Sequence, residues 1–219
     1  MARASEARKE TRIQREKREV ILKAALAEFA KNGFRGTTID AIAAGAGLSK
    51  PNLLYYFSSK EEIYRALLCQ LLDTWLEPLF RLDPEGDPIA EITGYVRRKL
   101  EMARDYPAES RLFANEILRG APRLKDMLEG PLKEIVDREA AVIGRWAEEG
   151  RIAPVDPHHL IFSIWATTQH YADFDVQVRA VLGPDRSATR FADAEAHLVT
   201  LFERVLRRTD GNGKPPEDS

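Results

Sequence analysis

The residues best placed to do chemistry lie close together near the N-terminus: Ser49, Lys50, Pro51 and Asn52, followed by Tyr55, Tyr56 and Lys60. When a helix lies in a DNA major groove, the side chains at its N-terminal end reach the base edges. An asparagine carboxamide pairs bidentately with adenine, and a lysine ammonium reaches guanine acceptors or phosphate. Two tyrosine hydroxyls and a second ammonium further along suit phosphate oxygens, contacts that fix register without specifying sequence. Thr38, just upstream, belongs to the same set of candidate contacts. The chemistry implied is recognition of double-stranded DNA.

Such residues need a scaffold of short helices, and the surrounding sequence supplies one. Val20, Ile21, Ala24, Ala25 and Phe29 recur at helical spacing over about 16–31, with Gly33 as the stop. A threonine N-cap with Asp40 at the third helical position opens a short helix that turns at Gly45-Ala46-Gly47. Ser49 caps a third helix, where Pro51 is tolerated in the first turn, and Ser59 to Glu62 opens a fourth. Two short helices joined by a glycine turn form a helix-turn-helix. Further helices are predicted over about 88–105, 107–119, 122–149, 158–182 and 189–207. The pattern contains no alternating strand signal, so the fold class is all-α. A basic arm with the helix-turn-helix is expected over 1–58, a larger helical domain over 59–208, and a disordered polar tail over 209–219.

Charge is distributed unevenly. The chain has 219 residues and a formal charge of −2, yet residues 1–65 carry a net +5 and the remainder −7. Seven basic side chains fall between Arg3 and Arg18, an arm suited to the minor groove or the backbone. Cys69 is the sole cysteine, which excludes a disulfide framework and fits a reducing compartment. No apolar run approaches the ~18 residues of a membrane span, and the charged N-terminus lacks a secretory core. A cytoplasmic protein with no membrane partner is expected.

The runs Gly36-Thr37-Thr38-Ile39-Asp40-Ala41-Ile42-Ala43, Ala46-Gly47-Leu48-Ser49-Lys50 and Leu54-Tyr55-Tyr56-Phe57-Ser58-Ser59-Lys60-Glu61-Glu62 resemble the DNA-binding signature of TetR-family regulators. One departure is Leu54, where many members carry a tyrosine that touches DNA. The aromatic contacts are therefore assigned to Tyr55 and Tyr56. The C-terminal segments Asp73 to Leu79, Ser110 to Phe113, Asp156 to Phe162 and Ile164 to Phe174 resemble the pyrimidine-utilisation branch of that family. The resemblance implies a homodimeric repressor on a palindromic operator, with uracil or thymine as effector and no cofactor.

Trp165 and Gln169 are four apart on a helix and so share a face. A carboxamide offers one acceptor and two donors, which complements the N–H and C=O of a cyclic imide. An indole offers a flat stacking surface, and Trp75 supplies a second wall. Phe113, Thr168 and Tyr171 are further candidate lining residues. A neutral pocket suits uracil, which is uncharged near pH 7. Periodicity alone reads Trp75 and Trp165 as core and Gln169 as a partly buried amide; the resemblance is what makes them a pocket. Phe162, Val176, Val181, Phe191, Leu198, Leu201 and Val205 are candidate dimer contacts in a four-helix bundle.

His158 and His159 are adjacent and diverge around a helix, and His170 with Asp173 lacks a further metal ligand at conventional spacing. No metal site is expected. Nor is there a phosphate loop, a nucleophile elbow or a paired catalytic carboxylate motif. The alternatives are a repressor of the same type sensing another small planar ligand, a helical enzyme acting on a pyrimidine, and an architectural DNA-binding protein.

Overall fold

The computed structural model describes residues 11–208, and all regular structure among them is helical. The first helix, α1 (Arg12–Gly36), opens at a capping box: Thr11 Oγ1 accepts the Gln14 N–H while Gln14 Oε1 accepts the Thr11 N–H. The basic stretch from Arg12 onward is thus helix rather than arm; Arg3, Arg8 and Lys9 lie outside the described residues. Gly33 bends the chain out of helical geometry at φ +65°, a conformation that strains any L side chain.

That bend changes how the next helix is capped. Thr37 turns inward and its hydroxyl donates to the carbonyls of Glu28 and Gly33, at 3.0 and 2.8 Å. A cap that makes Asp40 third in the helix would fall on Thr37. With Thr37 committed inward, the cap of α2 (Ile39–Gly45) passes to Thr38, whose Oγ1 accepts the Ala41 N–H at 3.1 Å. Ser49 caps α3 (Lys50–Tyr56) as expected, and α4 runs Lys60–Leu76. Two compact units, residues 1–70 and 71–219, divide within α4. The core of the first gathers Ile21, Ala25, Phe29, Ile42, Leu53, Phe57 and Ile63. Each large side chain buried here contributes about 1.5–3 kcal/mol.

In the second unit α5 (Pro88–Asp105) and α6 (Pro107–Leu118) begin with proline, whose missing N–H is tolerated in the first turn. The helix predicted over 122–149 is broken. A short α7 (Lys125–Met127) leads into a wide π turn at Leu128–Leu132, and only then does α8 (Lys133–Glu148) begin. Pro131 explains the widening, because it donates no hydrogen bond and its ring crowds the carbonyl four residues back. The helix predicted over 158–182 is also two: α9 (Pro157–Asp173) and α10 (Asp175–Ser187). Phe174 leaves helical geometry between them, and Arg190 Nε fastens Asp175 at 2.8 Å. The last helix is α11 (Arg190–Leu206).

The core of this unit lies where α5 meets α9 and α11, with Ile92, Val96, Ile161, Ile164 and Phe202 buried. Trp146 is sealed inside and donates its indole N–H to the Pro84 carbonyl at 2.8 Å. Phe162, Val176, Val181, Leu201 and Val205 are exposed on α9 to α11, and Phe191 is half-buried. Leu198 corrects the expected contact set: it is 3% exposed, because the buried stripe of α11 runs Ala194, Leu198, Phe202, Leu206. No helix among the described residues is long and apolar enough to cross a membrane.

Candidate functional site

In the first unit the candidate DNA contacts group at the tips of α2 and α3. Thr38 and Ser49 are exposed N-caps, so their hydroxyls are held in place by Ala41 and Asn52 N–H groups. Lys50 Nζ lies 2.9 Å from Asp40 Oδ2, bridging α3 to α2. Both partners are solvent-exposed, so the pair contributes little to stability and its ammonium is readily exchanged. Pro51 and Asn52 are exposed beside it. Tyr55 is 73% exposed and meets the half-buried Tyr56 edge-on, with centroids 5.1 Å apart. The main chain beneath is fixed by Arg18, whose Nη1 donates to the Tyr56 carbonyl at 2.7 Å while its guanidinium covers the Phe57 ring.

Lys60 is placed differently from its neighbours. Its Nζ donates to the carbonyls of Phe34 and Thr37, both at 2.8 Å, and stands 4.6 Å from the centroid of the Phe34 ring. It closes the end of α1 with two of its three donors. The sequence gives no sign of this, because the carbonyls lie more than twenty residues away.

The second unit contains a cavity of about 570 Å³. Trp75, Phe113, Trp165 and Gln169 all line it, and Trp75 and Phe113 meet edge-on with centroids 5.2 Å apart. Trp165 donates its indole N–H to the Tyr95 hydroxyl at 2.6 Å, which leaves its ring as the surface it offers. Burial raises the Tyr95 phenol well above its ordinary pKa, so it remains protonated. The Gln169 carboxamide makes no hydrogen bond to any other described residue.

Two of the expected lining residues do not reach the cavity. Thr168 is wholly buried and its hydroxyl donates to the Ile164 carbonyl at 2.7 Å. Tyr171 packs against the core and faces Phe191 across 6.2 Å. Positions 168 and 171 flank Gln169 in sequence, but on a helix they turn away from the face that carries Trp165 and Gln169.

The sequence reading missed a charged group of residues on the same cavity: Lys99, Ser110, Arg111 and Asp173. The expectation of a neutral pocket is therefore corrected. Lys99 is 4% exposed; burial lowers its pKa to about 8, while the Asp173 charge works against that shift. Asp173 Oδ1 accepts from Ser110 Oγ at 2.5 Å. Burial raises the carboxyl pKa of Asp173, opposed by the Ser110 hydrogen bond and the charges of Arg111, His170 and Lys99. A signal for Lys99 was present. Ile92, Val96, Lys99 and Ala103 fall at four-three-four spacing, so the lysine interrupts the buried stripe of α5. His170 stacks on Phe174, and no cluster among the described residues is arranged to hold a metal.

Residues 21–67 match the model of bacterial regulatory proteins of the tetR family, and residues 68–209 match that of the YcdC-like protein C-terminal region. The HTH-type transcriptional regulator RutR of Escherichia coli K12 is 53% identical over 175 residues, covering 80% of this chain and 82% of that one. The chain belongs to the TetR family. Among solved structures, the transcriptional regulator SCO4942 from Streptomyces coelicolor superposes with a TM-score of 0.67 at 26% identity, over 87% of this chain and 98% of the other. AibR in complex with isovaleryl coenzyme A and operator DNA shares the fold, with a TM-score of 0.58 at 22% identity over 71% and 85% of the two chains. As a TetR-family protein the chain is an HTH-type transcriptional regulator, not an enzyme. Regulators of this family bind operator DNA and small-molecule effectors.

Proposed function

We propose that the chain is a cytoplasmic homodimeric repressor that binds a palindromic operator through Thr38, Ser49, Lys50, Pro51, Asn52, Tyr55 and Tyr56. In this reading uracil or thymine releases it. The observation that carries the effector assignment is the unbonded Gln169 carboxamide, which shares one cavity with the rings of Trp75 and Trp165. A planar imide stacks on the indoles and takes both donor and acceptor from the amide. Dimerisation follows from the DNA side: two recognition helices reading successive major grooves need a two-fold axis. The exposed apolar side chains of α9 to α11, Phe162, Val176, Val181, Leu201 and Val205, suit that interface.

α4 carries Lys60 at its start and Trp75 in its last turn. A ligand that contacts Trp75 contacts the helix whose first residue, Lys60, donates to carbonyls at the end of α1. Release requires that the ligand bind the DNA-incompetent arrangement better than the competent one, since equal affinity shifts nothing.

The test is thermal unfolding and operator binding with uracil, thymine and cytosine. Uracil or thymine at 100 times its dissociation constant should stabilise the protein by about 2.7 kcal/mol and release operator. Gln169→Ala should bind operator normally and lose both effects. A Gln169→Ala protein that unfolds instead identifies the amide as a structural group.

A second reading, a larger planar effector that carries a charge, is favoured by the cavity itself. Its volume is about 570 Å³, roomy for a single ring, and Lys99, Arg111 and Asp173 line it. Competition between uracil and two-ring or anionic heterocycles separates the two.

A further inference from the structure

Lys99 has no evident use in the fold. It occupies the buried stripe of α5 and is 4% exposed, yet its ammonium makes no hydrogen bond to any other described residue. It lines the cavity and stands 5.5 Å from the centroid of the Trp75 ring. The charge that reaches it, Asp173 on α9, is itself engaged by the Ser110 hydroxyl and lies in the fields of Arg111 and His170. The three N–H donors of Lys99 face the cavity and not protein acceptors, so whatever fills the cavity must satisfy them, whereas a leucine or methionine would fill the same stripe with no such demand. A cation so placed offers its donors to a guest in the cavity.

Gln169 cannot by itself choose between ligands. Its carboxamide turns over to present either oxygen or nitrogen, and so accommodates a ring carbonyl or a ring amine equally. A protonated lysine only donates. We infer that Lys99 is the specificity-determining residue of this cavity: its ammonium takes a ring carbonyl oxygen of the effector and turns away the same ring bearing an amino group there. The class admitted is a planar lactam or imide with an acceptor edge. The inference rests on the cavity being the effector pocket proposed above.

A pH dependence follows. An oxygen placed on the ammonium raises the Lys99 pKa above its ligand-free value of about 8. Affinity for the carbonyl ligand is therefore complete below about pH 8 and declines as pH rises through that value. Near pH 8 binding draws up to about half a proton per site from solution, and at pH 6 almost none.

The experiment is calorimetric titration of the full chain with uracil and cytosine at pH 6 and 8, in buffers of different ionisation heat. Wild type should bind uracil with proton uptake at pH 8 and discriminate strongly against cytosine. Lys99→Met should weaken uracil about 10- to 100-fold, the loss expected for a hydrogen bond to a charged group, and abolish the proton uptake. Its preference for uracil over cytosine should collapse by a similar factor. Ligand-free Lys99→Met should melt no lower than wild type, because no hydrogen bond to another described residue is lost. Lys99→Gln provides the same readouts with a polar replacement. Equal uracil binding by wild type and both variants, without proton uptake, overturns the role of Lys99 and leaves the pyrimidine proposal standing. Wild type that binds neither probe overturns the pyrimidine proposal and the inference built on it.

Discussion

The two units each draw a lysine out of solvent, and they use it in opposite ways. At the end of α1, Lys60 is half-buried, and two carbonyls and an aromatic face share its charge. In the cavity of the second unit, Lys99 is more deeply buried and has an aromatic neighbour but no hydrogen bond to another described residue. The first cation completes a structure that is already there: the carbonyls left over where Gly33 ends the regular helix need donors. The second faces the cavity and donates to no other described residue. The same side chain is thus a structural tie in one unit and an unfilled half of a contact in the other. The difference lies in whether the fold provides the acceptors.

The contrast can be broken most sharply at Lys60. Lys60→Met strands two carbonyls and should lower the stability of the first unit by about 1–3 kcal/mol, measured by denaturant unfolding. Ligand-free Lys99→Met, by contrast, should lose none. The slope of log affinity against log salt should stay unchanged; a slope reduced by about one would place Lys60 on a phosphate instead. Asn52→Ala, on the exposed tip of α3, should cost the operator about tenfold in affinity while non-specific DNA is bound as before. A uniform loss on both DNAs would reassign Asn52 to the backbone. The smallest effect is expected at Asp40. Asp40→Asn breaks an ion pair whose partners are both exposed, and should alter the melting free energy by less than about 0.5 kcal/mol.

The caps and periodicities of the first unit were legible because they are local. Ser49 to Asn52 and Ser59 to Glu62 are three residues apart, and the side chain that satisfies each backbone group lies within one turn. The two carbonyl partners of Lys60 were not foreseen, because they are distant in sequence and depend on the bend at Gly33. In the second unit Pro131 and Gly130 do mark the break in the helix predicted over 122–149, yet the break between Asp173 and Phe174 has neither proline nor glycine. Trp75, Trp165, Phe113 and Gln169 were brought together as expected. The charges around them were not foreseen, since aromatic and amide side chains were weighed and the lysine within an apolar stripe was passed over. Thr168 and Tyr171 were over-read from sequence proximity to Gln169, where helical rotation rather than adjacency decides what a side chain faces.

The distribution of the three tryptophans has an optical consequence. Trp75 and Trp165 both face the cavity, whereas Trp146 is sealed in the core with its N–H on the Pro84 carbonyl. Near-ultraviolet excitation is therefore shared between two chromophores that any stacked guest will darken and one that it leaves alone. With the cavity as the proposed effector pocket, the protein would carry its own unlabelled gauge of occupancy, with a built-in reference lamp.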